Sequence, residues 1–139
     1  CKECGHSYLS MVSNRCFHFS GCPECNESKG ERITKEKLNR HNIEFEREKK
    51  FLDNRDKRCL FFDFYLPAYS TCIEFDGIQH YNINGLWTIS PNRFEDIQRK
   101  DRIKDKYCQD NNIKLIRIPY WDLKNIEEIL TRELKLCKN

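Results

Sequence analysis

No run of apolar residues in this 139-residue chain approaches the roughly 20 that a membrane span requires. No signal peptide is visible either, so an intracellular rather than secreted protein is expected. The chain does not begin with methionine, which points to a fragment whose upstream part would add further modules. Internal repeats and low-complexity tracts are absent, which excludes solenoids and disordered tails. Alanine occurs once, beside many Ile, Asn and Lys residues, the mark of AT-rich coding DNA. What remains is 38% hydrophobic and 34% charged, a globular composition long enough for one domain, or one domain plus a small module.

The formal net charge of +3 is too small to identify a nucleic-acid partner by itself. Its distribution says more. Lys29, Arg32, Lys35, Lys37 and Arg40 form one basic cluster; Lys49, Lys50, Arg55, Lys57 and Arg58 a second; Arg99, Lys100, Arg102, Lys104 and Lys106 a third. Such clusters neutralise phosphates, although interspersed acids also make ordinary solvated faces.

Nine cysteines fall into two groups. Cys59, Cys72, Cys108 and Cys137 are scattered through strand- and helix-like runs and read as reduced thiols. The N-terminal group has a metal-binding spacing: Cys1-x-x-Cys4, seventeen residues, then Cys22-x-x-Cys25. Each pair fits a knuckle, and two knuckles close a tetrahedral thiolate site for structural zinc. Cys16, His6 and His18 are alternative ligands. So short a segment builds no core of its own, so the metal would supply its folding free energy. The expected division is a four-cysteine zinc ribbon at 1–28 and a second domain at 29–139.

Periodicity orders that second domain. A helix is expected over about 29–41, with Ser28 and Glu31 at capping-box spacing. "IEFERE" alternates, with Ile43, Phe45 and Arg47 on one face, and "KKFLDNRDKR" reads as a polar loop or poor strand. "CLFFDFYL" and "STCIEFDG" are strand-like, joined by a turn at Pro67. A loop with Gly85 leads to a long helix over about 92–111. Phe94, Ile97, Ile103 and Tyr107 would face its core. "IKLIRIPY" is a strand, and Ile126, Ile129, Leu130 and Leu134 mark a closing helix. The expected class is mixed α/β, in the order helix, three strands, helix, strand, helix.

The stretch "FDFYLPAYSTCIEFDGIQHY" carries the chemistry. Strand alternation puts Glu74 and Asp76 on one face and Asp63 opposite Phe62 and Phe64. If the two strands form a hairpin, Asp63 sits beside Glu74. Carboxylates brought together repel, which raises a pKa or demands a cation. Mg²⁺ or Mn²⁺ suits oxygen donors and activates water. Gln79 and His80 follow Gly77 at once, and His80 is placed to move a proton. Asp101 and Lys104, one turn apart, read most simply as a solvated pair. Arg117, Lys114 or Lys104 could instead neutralise the carboxylates as purely structural ion pairs.

The segments "SKGE", "FDFYLP", "CIEFDGIQHY", "KDRIKDKYC" and "IKLIRIPYW" together resemble the restriction-endonuclease-like superfamily over about residues 28–130. The likeness is greatest to very-short-patch repair endonucleases and phage homing endonucleases; zinc ribbons precede such domains in phage and large-virus proteins. The resemblance implies an α-β-β-β-α-β core and a metal-dependent DNA endonuclease acting on double-stranded or branched DNA. It implies that Asp63 and Glu74 hold the metal and that Glu31 resembles the helix acid behind metal-bound water. Asp76 stands where the superfamily has lysine, and His80 resembles a replacement for it. One catalytic site per chain would cut one strand at a time, so double-strand cleavage would call for a homodimer or sequential nicks. The competing expectation is a nuclease-like module that binds nucleic acid without cutting it, motivated by the missing lysine. RNA remains open as substrate.

Overall fold

The computed structural model describes residues 27–81 and 90–136. The four-cysteine site, its alternative ligands Cys16, His6 and His18, the loop around Gly85, and Cys137 lie outside the described residues. The element order is α1 (Lys29–Arg40), β1 (Glu46–Arg55), β2 (Cys59–Leu66), β3 (Thr71–Asp76), α2 (Pro91–Asp110), β4 (Lys114–Pro119) and α3 (Ile126–Glu133). This is the expected order, assembled as a mixed α/β fold around one four-stranded sheet, β1-β2-β3-β4. The first three strands are antiparallel, and β4 returns parallel to β3 by way of α2.

Local chemistry explains the elements. Ser28 Oγ accepts the Glu31 N–H at 3.2 Å and opens α1. Pro91 stands in the first turn of α2, where a missing N–H costs nothing. A short 3-10 turn, Pro67–Tyr69, links β2 to β3, and Ser70 closes it with a left-handed φ of 44°. Of the two readings of "KKFLDNRDKR", loop or poor strand, the structure shows the strand, since β1 runs through it to Arg55. β1 is an edge strand with one face in solvent, so it tolerates polar residues that an interior strand would not. Its buried face is supplied by Phe51, whose ring meets Phe62, Tyr65 and Tyr107.

The sheet has a core on each side. Leu38 of α1 and Ile126 and Leu130 of α3 cover Phe64, Leu66, Ile73, Ile116 and Ile118. On the other side Cys108 and Tyr107 of α2 pack on Phe62, Cys72 and Leu115. Of α2 only Cys108 is fully buried; Phe94, Ile97 and Ile103 are half-buried. Between these apolar residues Asp101 and Lys104 of α2 reach toward the sheet where the carboxylates are. No helix among the described residues is long and apolar enough to cross a membrane.

Candidate active site

The β2–β3 register pairs Phe64 with Ile73 and Tyr65 with Cys72. Continued by one residue it sets Asp63 opposite Glu74, as the hairpin reading anticipates. On the other side of β2, Glu48 drops out of the β1 ladder between Arg47 and Lys49. Glu48 has a left-handed φ of 49°, rare for a non-glycine residue in a strand. The break falls level with Asp63, the kind of irregularity that re-aims side chains at strand edges.

Asp63 Oδ2 accepts the Phe75 N–H at 2.8 Å. Burial pushes the Asp63 carboxyl up to about 6; the Phe75 hydrogen bond opposes this, and the nearby charge of Glu31 adds to it. Glu74 is pushed up to about 7, again by burial first, with Lys104 pulling it down and Asp63 pushing it up. Lys104 of α2 places its Nζ 2.8 Å from both Glu74 oxygens. The same ammonium lies 5.6 and 5.4 Å from the Phe61 and Phe62 ring centroids. One lysine thus neutralises one of two neighbouring acids, and no ion pair reaches Asp63 among the described residues.

Glu74 and Asp76 are both buried charged residues. Both Asp76 oxygens are engaged: Oδ1 accepts Arg117 Nη1 and Oδ2 accepts the Tyr81 hydroxyl, each at 2.9 Å. Arg117 Nη2 also lies 3.0 Å from Asp105 and 3.5 Å from Asp101. Burial would pull the Arg117 pKa down, but the charges of Asp76, Asp101 and Asp105 raise it above its ordinary value. His80 Nδ1 lies 2.8 Å from Asp101 Oδ2 and 3.8 Å from Asp76 Oδ1. Burial alone would depress the imidazole pKa, yet the Asp101 hydrogen bond and charge, joined by Asp76, carry it above its ordinary value. Nδ1 is committed to Asp101, so Nε2 is the nitrogen left to serve a reaction.

Most of the residues expected from the sequence therefore meet. Asp63, Glu74, Asp76, His80, Asp101 and Lys104 form one network spanning β2, β3 and α2. Three expectations change. Asp101 and Lys104 are not a solvated pair: each reaches across to the sheet, Asp101 to His80 and Lys104 to Glu74. Lys114 is not a partner of the carboxylates, because its ammonium binds Glu133 at 2.8 Å. Gln79 is exposed and folds back over Gly77, where a Cβ would meet its amide at 2.5 Å. Glu31 stands at the margin, bound to Arg47 at 3.2 Å, and acts on Asp63 through its charge. Sequence reasoning underrated Arg117 and did not single out Tyr81. The signal for Arg117 was a cation flanked by Ile116 and Ile118 inside the strand "IKLIRIP".

Among the described residues no three His, Cys, Asp or Glu side chains form a ready metal cage. The donor set is a pair, Asp63 and Glu74. Mg²⁺ is commonly held by one or two carboxylates, with water and substrate phosphates completing its shell. Two adjacent acids that burial makes reluctant to ionise fit such an ion, because a divalent cation offsets that cost.

Comparison with known proteins bears on both ends of this picture. Residues 1–28 match a family model described as "Probable Treble clef zinc finger domain". The N-terminal segment is thus similar to a zinc finger, named as a treble clef where the cysteine spacing suggested a ribbon. The chain is also similar to "Uncharacterized protein 307L" of Invertebrate iridescent virus 6, with 34% identity over 73 residues. That match covers 52% of this chain and 36% of the relative, so it spans about a third of the viral protein's length. No solved structure matches.

Proposed function

We propose that this chain is a metal-dependent DNA endonuclease with a restriction-endonuclease-like core, hydrolysing phosphodiester bonds at the Asp63–Glu74 pair. The observation that carries the reading is this pair of neighbouring carboxylates, pushed up to about 6 and about 7, beside a lysine from another element. Asp63 and Glu74 would hold Mg²⁺ or Mn²⁺, which when bound polarises a phosphate and lowers the pKa of its water. Lys104 opposes the burial that raises the Glu74 carboxyl and brings a cation to the pair, where Asp76 stands in place of the superfamily's lysine. Asp76 is a positioning residue: it holds Arg117 and Tyr81, and with Asp101 sets the environment of His80. His80, its Nδ1 fixed by Asp101, offers Nε2 to take a proton from the attacking water or give one to the leaving oxygen. The zinc finger would contribute target choice, and a homodimer would let two sites cut both strands.

A second reading has a specific observation behind it. Glu74 and Asp76 are each already paired with a half-buried cation, as a purely structural network would be. In that case the chain is a binding module without catalysis. Cleavage of supercoiled plasmid and of branched DNA with Mg²⁺, Mn²⁺ or EDTA separates the two. Nicking that needs the metal, vanishes in a folded Asp63→Asn variant and falls about 10²–10⁴-fold in His80→Ala supports the endonuclease. DNA binding without cutting under any metal supports the module.

A further inference from the structure

Between the β1–β2 turn and the N-terminal half of α2 lies a cleft of about 550 Å³, lined among others by Lys57, Arg58, Phe61, His80, Lys100 and Lys104. It shares His80 and Lys104 with the carboxylate site, so whatever fills it lies next to the proposed point of reaction. Its acids are spoken for: Asp56 is paired with Arg99 at 2.9 Å, Asp96 with Lys100 at 2.5 Å and Asp101 with His80 at 2.8 Å. Lys57 and Arg58 at the mouth are exposed and make no ion pair among the described residues. On the wall, Phe61 is 47% exposed in the middle of a strand, directly below the Lys104 ammonium. An exposed phenyl ring between two unpaired cations and a lysine is poor packing for a free surface. It is good chemistry for a nucleobase with its phosphate.

The walls are tied together. The Asp56–Arg99 pair fastens the turn to α2, and Tyr107 Oη donates to Asp53 at 3.2 Å further along. The cleft is therefore preformed. Its volume lies within the roughly 300–1,000 Å³ of ordinary ligand pockets, enough for an unstacked nucleotide and far too small for base-paired duplex.

We infer that this cleft receives an unpaired nucleotide of the substrate strand beside the bond to be cut. Phe61 stacks on the base, and Lys57 and Arg58 each hold one of the flanking phosphates. The inference rests on the endonuclease reading and narrows it: the preferred substrate carries single-stranded DNA at the cleavage point, as in a flap, bulge or branch, rather than an uninterrupted duplex. A positive groove with an aromatic platform is the general means of binding single strands without reading sequence.

The test is fluorescence anisotropy with the full chain carrying Asp63→Asn, so that turnover does not enter. A labelled single-stranded oligonucleotide is compared with the same sequence as duplex at equal salt. Phe61→Ala should weaken single-strand binding about tenfold, the scale of one base–aromatic stack, and duplex binding by less than about twofold. Phe61→Trp should restore it. The Lys57→Ala/Arg58→Ala double variant should flatten the single-strand salt slope by about 1.4, roughly 0.7 for each lost phosphate contact. The inference is overturned by tighter duplex than single-strand binding, by equal losses on both ligands, by no effect of Phe61→Ala, or by failure of Trp to restore binding. Because binding is read without turnover, the two proposals fail separately. Phe61-dependent single-strand binding by a chain whose wild type cuts nothing would sink the endonuclease reading alone. Metal-dependent cutting with Phe61-independent binding would sink the cleft alone.

Discussion

Asp63 is held by one backbone N–H and pressed by burial, with the negative charges of Glu31 and Asp76 around it. Its carboxyl is raised from 3.8 to about 6. A folded-state pKa above the unfolded one means that the native state binds the proton more tightly. The stability this contributes is fully present below about pH 4 and is lost as pH rises through about 6. Asp63→Asn keeps an acceptor for Phe75 and removes the charge. In metal-free buffer the variant should therefore be more stable than wild type at pH 8, by at most about 3 kcal/mol, and the difference should vanish near pH 4. Thermal melts of both proteins across that range check the sign. If Asp63 served only as a structural anchor, the variant would be the less stable one at pH 8.

At the scale of elements, two contacts decide where the site residues sit. Lys104 reaches from α2 to Glu74, with both side chains largely buried. Lys104→Met leaves Glu74 without its cation, and losing one partner of a buried pair costs about 3–5 kcal/mol. That loss should be greatest at pH 8 and shrink at pH 5, where Glu74 is free to take up a proton; urea melts at the two pH values measure it. The other contact is between α1 and β3. A Cβ on Gly30 would fall 2.2 Å from the Phe75 ring, and Phe75 supplies the N–H that holds Asp63. Alanine favours a helix over glycine by about 1 kcal/mol, yet overpacking costs about 1–3 kcal/mol. Gly30→Ala should therefore destabilise the domain and lower cleavage, whereas a gain in melting temperature would show that the ring yields freely.

For the whole molecule, the proposed function divides the labour by chemistry: soft thiolates of the zinc-finger-like segment would take zinc, and hard carboxylates of the α/β domain would take magnesium. Purified chain should carry about one zinc, as four thiolates require, and Cys22→Ser should abolish it. Elemental analysis reads the metal directly. Added Mg²⁺ should not displace the zinc, and it should raise the melting temperature of wild type but not of Asp63→Asn. Equal stabilisation of both proteins would place Mg²⁺ elsewhere.

Much of this was legible in the residues. The order of elements followed from periodicity, and the β2–β3 hairpin from the alternation of "FDFYL" and "CIEFD", although the shared face expected for Phe62 and Phe64 is divided at Asp63: Phe64 packs under α1 and α3, Phe62 under α2. Asp63 beside Glu74 was thus implied by local sequence, and the cysteine spacing announced its zinc finger. Other features were not local. The second half of β1 reads as either loop or poor strand because an edge strand places polar residues on its open face, and only pairing with β2 decides for the strand. Lys104 and Asp101 read as surface charge on a helix, and Arg117 as one of two cations in a strand. Their roles depend on α2 crossing the sheet at the level of Glu74 and His80, a packing choice made by Cys108 and Tyr107 many residues away. Sequence alone determined which acids would crowd together. The tertiary structure decided which cations met them and left Asp63 without one, because charges are paired through space rather than along the chain.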